Sequence, residues 1–272
     1  QEPAGSGWGL LPPELGLVAE TDDDEESAAL ASADTFHLDE ALARGEQWLL
    51  AMQNKDGGWG AFDRGADSTN LRHVPLANGT AVTDPSSPDL AGRVLQALGV
   101  RGRRLGTPAI DKAVAYLRRE QQADGSWSRT FGGDRLHATC QVLQGLRAIG
   151  MPAEDPTLQA GAHWLIAHQQ PSGGWGESPA SRDEPSLRAS GNATPSQTAW
   201  AVLALIAMDL RDHSAARSGV RFLIDRQNPD GTWDEPEFTA ADFTGSLHRR
   251  QSPTPCRFSL TALSRWANAT ES

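Results

Sequence analysis

Apolar residues recur along this chain at the spacing of amphipathic helices. The pattern predicts one set of helices over residues 38–52, 109–119, 160–167 and 215–225. It predicts a second set between them, over residues 89–98, 136–149, 196–208 and 257–266. No convincing run alternates apolar and polar residues as a half-buried strand does. The chain is therefore expected to be all-α and built from pairs of helices.

A short signature accompanies these helices five times. Each copy has a Gln, a turn containing Gly and then a Trp, and the copies occupy residues 1–8, 53–59, 121–127, 169–175 and 227–233. The Asp-Gly or Gly-Gly of the turn tolerates positive φ and so ends the preceding helix. We expect the Trp to pack back on the end of that helix while the Gln amide binds free backbone groups there. The signature is thus interpreted as structural and not catalytic.

The period of the signature favours a repeat architecture. Successive Trp residues are separated by about 48 to 68 residues, at or above the range typical of helical repeats. Paired helices at this period indicate an α/α solenoid or a closed α/α barrel. A barrel of six pairs needs more helices than the roughly nine counted here. The prediction is a single α/α barrel domain over residues 1–272, with N-terminal helices expected to be missing.

Composition excludes some partners. The formal net charge is −11, with the excess acid concentrated in residues 20–26, which argues against nucleic acid. The two cysteines, Cys140 and Cys256, form no disulfide or metal-site pattern, so the cytoplasm is the expected location. No apolar run approaches the length of a membrane span and no signal peptide is visible, which leaves peripheral membrane contact open. Nothing in the sequence indicates the oligomeric state.

Several segments in register resemble one family. They are residues 53–63, 73–75, 82–85, 193–200 and 230–236, and they are similar to the C-terminal catalytic domain of squalene–hopene and oxidosqualene cyclases. The resemblance implies an α/α barrel and a class II terpene cyclase. Such an enzyme protonates a terminal alkene or epoxide of a linear polyprenyl substrate, which then cyclises without a required cofactor.

The family's acid motif, Asp-x-Asp-Asp followed by Thr-Ala, resembles residues 20–25. By this match Asp22 would donate the proton, with Glu20 and Asp23 beside it. Glu20 stands where the family has Asp, and two acidic residues replace Thr-Ala. An alternative register moves the acid to Asp24. His73, in His-Val-Pro, resembles the family's His that pairs with the acid.

This chemistry explains the crowding of carboxyl groups. An alkene is a very weak base, so the acid must stay neutral until it reacts and water must be excluded. Neighbouring carboxylates cannot all ionise, which raises the pKa of one of them. An acidic run is otherwise typical of a solvated loop.

Aromatic faces stabilise the cations formed after protonation. The resemblance implies this role for Phe131 and Phe243, whereas Leu11 and Leu247 stand at positions where aromatic residues are expected. Fewer rings favour a shorter prenyl substrate, or one with a diphosphate or aromatic carboxylate head, over squalene. Arg249 and Arg250 could bind such a head, with Mg²⁺ as a possible partner of a diphosphate; otherwise they belong to a solvent-facing loop.

Two other functions are compatible with these patterns. The changed acid motif and the loss of aromatic residues also suit a non-catalytic α/α barrel that binds a lipid or a protein. A subunit like those of protein prenyltransferases would need zinc ligands of the Asp-x-Cys and His type. No Asp-x-Cys is present, and no metal site is predicted.

Overall fold

Eight α-helices make up most of the chain that the computed structural model describes. The described residues are 24–61, 64, 84–129, 135–182, 184, 187, 190–237, 240–241, 248–249 and 254–268. The helices are α1 (Asp24–Ala51), α2 (Pro88–Val100), α3 (Pro108–Glu120), α4 (Arg135–Ala148), α5 (Pro156–Ala167), α6 (Pro195–Ala207), α7 (Ser214–Asp225) and α8 (Thr254–Asn268). The chain divides into two units, residues 1–45 and 46–272. In the first unit the described residues belong to α1.

The predicted helices all form, with some earlier starting points. α1 begins at Asp24, well before the predicted residue 38, and α5 begins at Pro156 instead of residue 160. The start of α5 is determined by a cap, because the Asp155 carboxylate accepts a hydrogen bond from the Thr157 N–H at 2.9 Å. Apolar periodicity reports only the buried stripe of a helix. Caps and first-turn prolines therefore define starting points that the stripe does not show.

Four helices form an inner layer of the second unit. α4 contacts α2 and α6, and α6 contacts α8, while α3 packs on α2, α5 packs on α4, and α7 packs on α6 and also touches α8. Nearly all of α4 and α6 is buried, as expected for helices covered on every side. This alternation of inner and outer helices is the α/α-barrel arrangement predicted from the sequence.

The inner helices α2 and α4 run parallel to each other. Gly92 of α2 lies against Gln141 of α4, and Gly99 lies against Ala148, so both helices advance in the same direction. A Cβ built on Gly145 would lie 2.2 Å from the carbonyl oxygen of Gly92. The α2–α4 crossing is therefore closer than any residue with a side chain would allow at these positions.

The Gln–turn–Trp signatures act as staples, which confirms their structural interpretation. In four copies the indole N–H donates to a leucine carbonyl 10 residues earlier, at the end of the preceding helix; the pairs are Trp59–Leu49, Trp127–Leu117, Trp175–Leu165 and Trp233–Leu223. The Gln amide does more than was expected. In the three middle copies it reaches across to the second residue of the next outer helix, as Gln169 does to the Ala215 carbonyl at 2.8 Å. These three staples therefore tie successive outer helices together.

Glycine permits the turn inside each staple. Gly57, Gly125, Gly173 and Gly231 have φ of 97°, 92°, 86° and 85°. These values confirm the positive φ that the signature predicts.

Two further features complete the description. Two short strands, β1 (Ala240–Ala241) and β2 (His248–Arg249), form an antiparallel pair. The fold remains essentially helical. Among the helices of the described part, none is long and apolar enough to cross a membrane.

Candidate active site

The residues predicted to carry the chemistry fall almost entirely outside the described part of the chain. These are Glu20, Asp22, Asp23, His73, Phe131, Phe243, Leu11, Leu247 and Arg250. The backbone of Arg249 belongs to β2, where it pairs with Ala240. Asp24, the acid in the alternative register, is the first residue of α1. The proposed roles of these residues remain predictions.

A polar stripe follows the crossing of α2 and α4. On α2 it consists of Asp89, Arg93 and Gln96, and on α4 of His137, Gln141 and Gln144. The spacing of three and four residues places each trio on one helix face. Contacts link the trios at both ends, because Asp89 Oδ2 lies 3.9 Å from His137 Nδ1 and Gln96 Nε2 lies 3.5 Å from Gln144 Oε1. Polar side chains within an inner layer need hydrogen-bond or charge partners, because burying them unpaired is costly.

Asp89 is the charged centre of this stripe. It is 2% exposed and stands in the first turn of α2. Its Oδ2 lies 3.2 Å from Arg129 Nε, and its Oδ1 accepts a hydrogen bond from the Ser87 hydroxyl. Burial by itself would raise the pKa of Asp89, but Arg129, His137, Ser87 and Arg93 together hold it below the ordinary value. Asp89 is therefore a carboxylate at neutral pH, although almost no water reaches it.

Arg129 stands where the two later repeats carry a glutamate. Two residues after the signature Trp, the later copies carry Glu177 and Glu235. Glu177 accepts a hydrogen bond at 2.8 Å from the N–H of Leu136, the second residue of α4, and Glu235 accepts one at 2.8 Å from the N–H of the second residue of α6. At the same place in its repeat, Arg129 meets a carboxylate on the second residue of α2. The charges are thus exchanged at this one repeat, which puts Asp89 on the inner helix.

His137 is a neutral imidazole in this setting. Burial lowers its pKa to about 3; Asp89 opposes this effect, while Arg129 and Arg93 add to it. Its Nε2 lies 3.5 Å from the Gln141 amide nitrogen, and its Nδ1 has no hydrogen-bond partner among the described residues. The His137 ring therefore lies beside Asp89 without the charge of an imidazolium.

Aromatic rings extend from His137 along the inner layer. Trp200 of α6 stands edge-on to His137 with ring centroids 4.6 Å apart, and Phe258 of α8 stands edge-on to Trp200 at 5.7 Å. The Trp200 indole N–H is buried and has no acceptor within the described residues. The guanidinium of Arg257 lies 5.2 Å from the centre of the Phe258 ring. This row places π faces and one unsatisfied donor beside the Asp89 cluster.

The sequence contains signals for these residues that lie outside its recognisable motifs. The polar trios repeat at helical spacing within otherwise apolar helices, and Arg129 stands where the two later repeats carry Glu177 and Glu235. Neither signal alone distinguishes an inner polar face from an exposed one. In the described part of the chain, no cluster of three or more His, Cys, Asp or Glu residues could hold a metal ion.

Comparison with known families accounts for this architecture. The model of the squalene-hopene cyclase C-terminal domain matches residues 25–268. The chain belongs to this family. The match includes the Asp89 cluster and all four described staples, and it begins after the acidic stretch that contains Asp22.

Curated relatives of this cyclase-family chain support the assignment. The squalene–hopene cyclase of Alicyclobacillus acidocaldarius is 38% identical over 232 residues, which cover 85% of this chain and 37% of that protein. The dammaradiene synthase of Dryopteris crassirhizoma is 31% identical over 250 residues, covering 83% and 36%. The chain therefore spans just over a third of the length of these relatives.

Solved structures agree on the fold. The type II terpene cyclase MstE from Scytonema, in a variant bound to geranylgeranyl dihydroxybenzoate, aligns with a TM-score of 0.57 at 16% identity. The alignment covers 89% of this chain and 70% of that one. The unliganded MstE aligns with a TM-score of 0.53 at 15% identity. At such identities the likeness concerns the fold, which is the expected α/α barrel.

Proposed function

We propose that this chain is the catalytic domain of a class II terpene cyclase. It would protonate a terminal alkene or epoxide of a linear prenyl chain and direct the cyclisation that follows. The observation that carries this proposal is the family match over residues 25–268, in register with relatives named as squalene–hopene cyclases. The row of rings beside Asp89, in which Trp200 is buried, suits the same chemistry.

Initiation would depend on the acidic stretch. Asp22 donates the proton while Glu20 and Asp23 keep it protonated beforehand by repulsion between carboxylates. His73 orients the acid and accepts charge as the proton leaves. No metal or organic cofactor enters this step. Mg²⁺ would serve only to bind a diphosphate, should the substrate carry one.

The inner helices would contribute to the steps after protonation. The faces of Trp200 and Phe258 can each stabilise a nearby cation by about 0.5 to 2 kcal/mol when water is absent. Neither ring is nucleophilic, so neither captures the cation prematurely. The buried flanks of α4 and α6 exclude the bulk water that would quench it.

The test compares carboxylates at three positions. Asp22→Asn should abolish cyclisation of squalene, of 2,3-oxidosqualene and of shorter prenyl chains, as followed by gas chromatography of the products. Asp24→Asn tests the alternative register and should retain activity. Asp225→Asn, on the exposed end of α7, is the matched surface control. Full turnover by Asp22→Asn would refute the acid assignment, and no turnover by the wild-type chain on any prenyl substrate would favour a non-catalytic binding barrel.

The substrate also bears on location. Linear prenyl chains are poorly soluble in water and partition into bilayers. We therefore expect a cytoplasmic protein that makes peripheral contact with a membrane when it takes up substrate. Co-sedimentation with phospholipid vesicles tests this expectation, and a protein that stays in the supernatant at low and high salt would contradict it.

A further inference from the structure

A histidine caps the start of α7. The Nδ1 of His213 accepts a hydrogen bond at 3.2 Å from the N–H of Ala215, the second residue of the helix. The Gln169 amide, in the staple of residues 169–175, donates to the carbonyl of the same Ala215 at 2.8 Å. The cap therefore holds this residue through its N–H while the staple holds it through its carbonyl, so both contacts fix one turn of α7.

The start of α5 has the same arrangement with a different cap. The Asp155 carboxylate accepts from the N–H of Thr157 at 2.9 Å, and the Gln121 amide donates to the Thr157 carbonyl at 2.9 Å. A carboxylate accepts hydrogen bonds throughout the range from about pH 5 to 8, whereas a histidine ordinarily changes its charge in that range. The chain thus contains two copies of one contact, and only the copy at α7 has a cap that can titrate near neutral pH.

The His213 cap works only with a neutral ring. Nδ1 can accept a hydrogen bond when the ring proton is on Nε2, whereas in an imidazolium both nitrogens carry protons and neither accepts. Protonation would also place a positive charge at the N-terminal end of α7, where the partial charge of the helix is already positive. Both effects disfavour the helix start, so the proton and the cap bond exclude each other.

The segment around His213 supplies no carboxylate partner for an imidazolium. Its ionisable side chains, with those of α7, are Asp209, Arg211, Asp212, Arg217, Arg221 and Asp225. Asp212, next to His213 in the chain, pairs with Arg217 at 3.1 Å. Among the described residues, no ion pair includes His213.

The elements packed beside α7 add no acid either. α6 and the staple of residues 169–175 have no ionisable side chain. α5 contributes His163 and, at its C-cap, His168. α8 contributes Cys256, Arg257 and Arg265. No carboxylate comes from these elements, so a charged His213 gains no stabilising ion pair from them.

From this arrangement we infer that His213 is a pH-sensitive cap that loosens α7 in mild acid. His213 is only half-buried, so a proton from solvent reaches the ring. A Cβ built on Gly219 of α7 would lie 2.8 Å from the Trp175 ring and 2.7 Å from the Val202 side chain, so α7 packs directly on both. Loosening α7 therefore uncovers a Trp that is otherwise fully buried, together with the flank of α6. The device belongs to the fold and does not depend on cyclisation.

Hydrogen exchange of the whole chain tests the cap against its counterpart. Mass spectrometry follows the amides of residues 217–221 in α7 and of residues 159–163 in α5 at pH values of about 5.5 and 7.5, with the intrinsic pH dependence of exchange removed. We expect protection in α7 to fall about tenfold more than protection in α5 at the lower pH, since α7 loses a cap and gains a charge. Any general loss of stability in acid lowers both helices alike and cancels in the comparison.

Variants assign the effect to the ring. His213→Asp reproduces the cap of α5 and should abolish the excess loss of protection in α7. His213→Ala has no acceptor, so α7 should be poorly protected at both pH values and show no excess dependence on pH. His163→Gln, at an exposed position of α5, is the matched control and should behave like the wild type.

Other results would overturn the inference. Equal changes of protection in α5 and α7 of the wild type contradict a pH-sensitive cap. An excess change that persists in His213→Asp or in His213→Ala assigns the pH dependence to another group and refutes the role of His213. None of these measurements uses a substrate, so their failure leaves the proposed cyclase function standing, and an inactive Asp22→Asn variant says nothing about the cap.

Discussion

The Oδ2 of Asp89 lies 3.2 Å from the Nε of Arg129, and this pair joins the first turn of an inner helix to the loop that follows a staple. The two later repeats use a glutamate in that loop to bind the helix backbone. Exchanging the charges leaves a buried carboxylate on the helix itself. At this repeat, an arginine in the loop and an aspartate on the helix replace the loop glutamate and its bond to the helix backbone. A structural contact thereby becomes a charged centre.

Removing the partner of Asp89 should destabilise the protein. Arg129→Met leaves a buried carboxylate without its main ion pair, at an expected cost of about 3 kcal/mol, the low end for such pairs because water reaches Arg129. The low pKa of folded Asp89 stabilises the fold above the ordinary aspartate pKa, and this contribution is lost as the pH falls through the folded value. The loss of unfolding free energy in Arg129→Met should therefore be largest at neutral pH and smaller in acid, as measured by urea denaturation.

Two variants control this prediction. Arg217→Met breaks an exposed pair with Asp212 and should change the unfolding free energy by less than about 1 kcal/mol. Asp89→Asn combined with Arg129→Met should recover part of the loss, because no unpaired charge remains. An Arg129→Met protein as stable as the wild type at neutral pH would show that the pair is not buried in solution.

His137 should make the fold less stable in mild acid. Its folded pKa of about 3 lies below the value of about 6.5 expected in the unfolded chain. Below the unfolded pKa, the unfolded chain binds a proton that the folded protein does not, so stability falls by about 1.4 kcal/mol per pH unit. His137→Gln should remove this contribution, which urea denaturation between pH values of about 6 and 4.5 would detect.

His163→Gln, at an exposed position of α5, provides the comparison for His137 and should keep the wild-type dependence on pH. In proton NMR spectra the ring resonances of His137 should not shift between pH values of about 5 and 8. A resonance that titrates within this range would contradict the burial of the imidazole.

The staples should differ in strength according to their partners. The Gln169 amide donates to the Gly173 carbonyl at 2.7 Å and to the Ala215 carbonyl at 2.8 Å, so Gln169→Ala should cost about 2 kcal/mol. The exposed Gln227 donates to the Gly231 carbonyl, and Gln227→Ala should cost less than about 1 kcal/mol. Equal losses in chemical denaturation would mean that the link to the next outer helix contributes nothing.

Two glycines test the close crossing of α2 and α4. Gly145→Ala would place a Cβ 2.2 Å from the Gly92 carbonyl oxygen and should cost about 3 kcal/mol or more by forcing the helices apart. It should also disturb the contact between Asp89 and His137. Gly45→Ala meets nothing within 4 Å in α1 and should instead stabilise the protein by about 0.5 to 1 kcal/mol. Thermal unfolding of both variants shows whether each substitution stabilises or destabilises the protein. A Gly145→Ala variant as stable as the wild type would contradict the close crossing.

Much of the fold could be predicted because its determinants are local. The staples need a Gln, a glycine at positive φ and a Trp whose indole N–H reaches 10 residues back, and all three are visible in a short stretch. The helices followed from apolar spacing for the same reason. Their starting points did not, since the start of α5 depends on the carboxylate of Asp155 and not on apolar spacing.

The sequence by itself determined the all-helical repeat architecture, the position of each staple and the family resemblance, because these rest on contacts within a repeat or on motifs in order. Only the tertiary structure decided that Asp89, Arg129 and His137 meet. They come from α2, the loop after the second described staple and α4, and their encounter depends on the parallel packing of the inner helices across Gly92 and Gly145. A polar residue on a helix face looks the same in sequence whether that face is solvated or enclosed. Burial among neighbours distant in the chain makes it a charged centre.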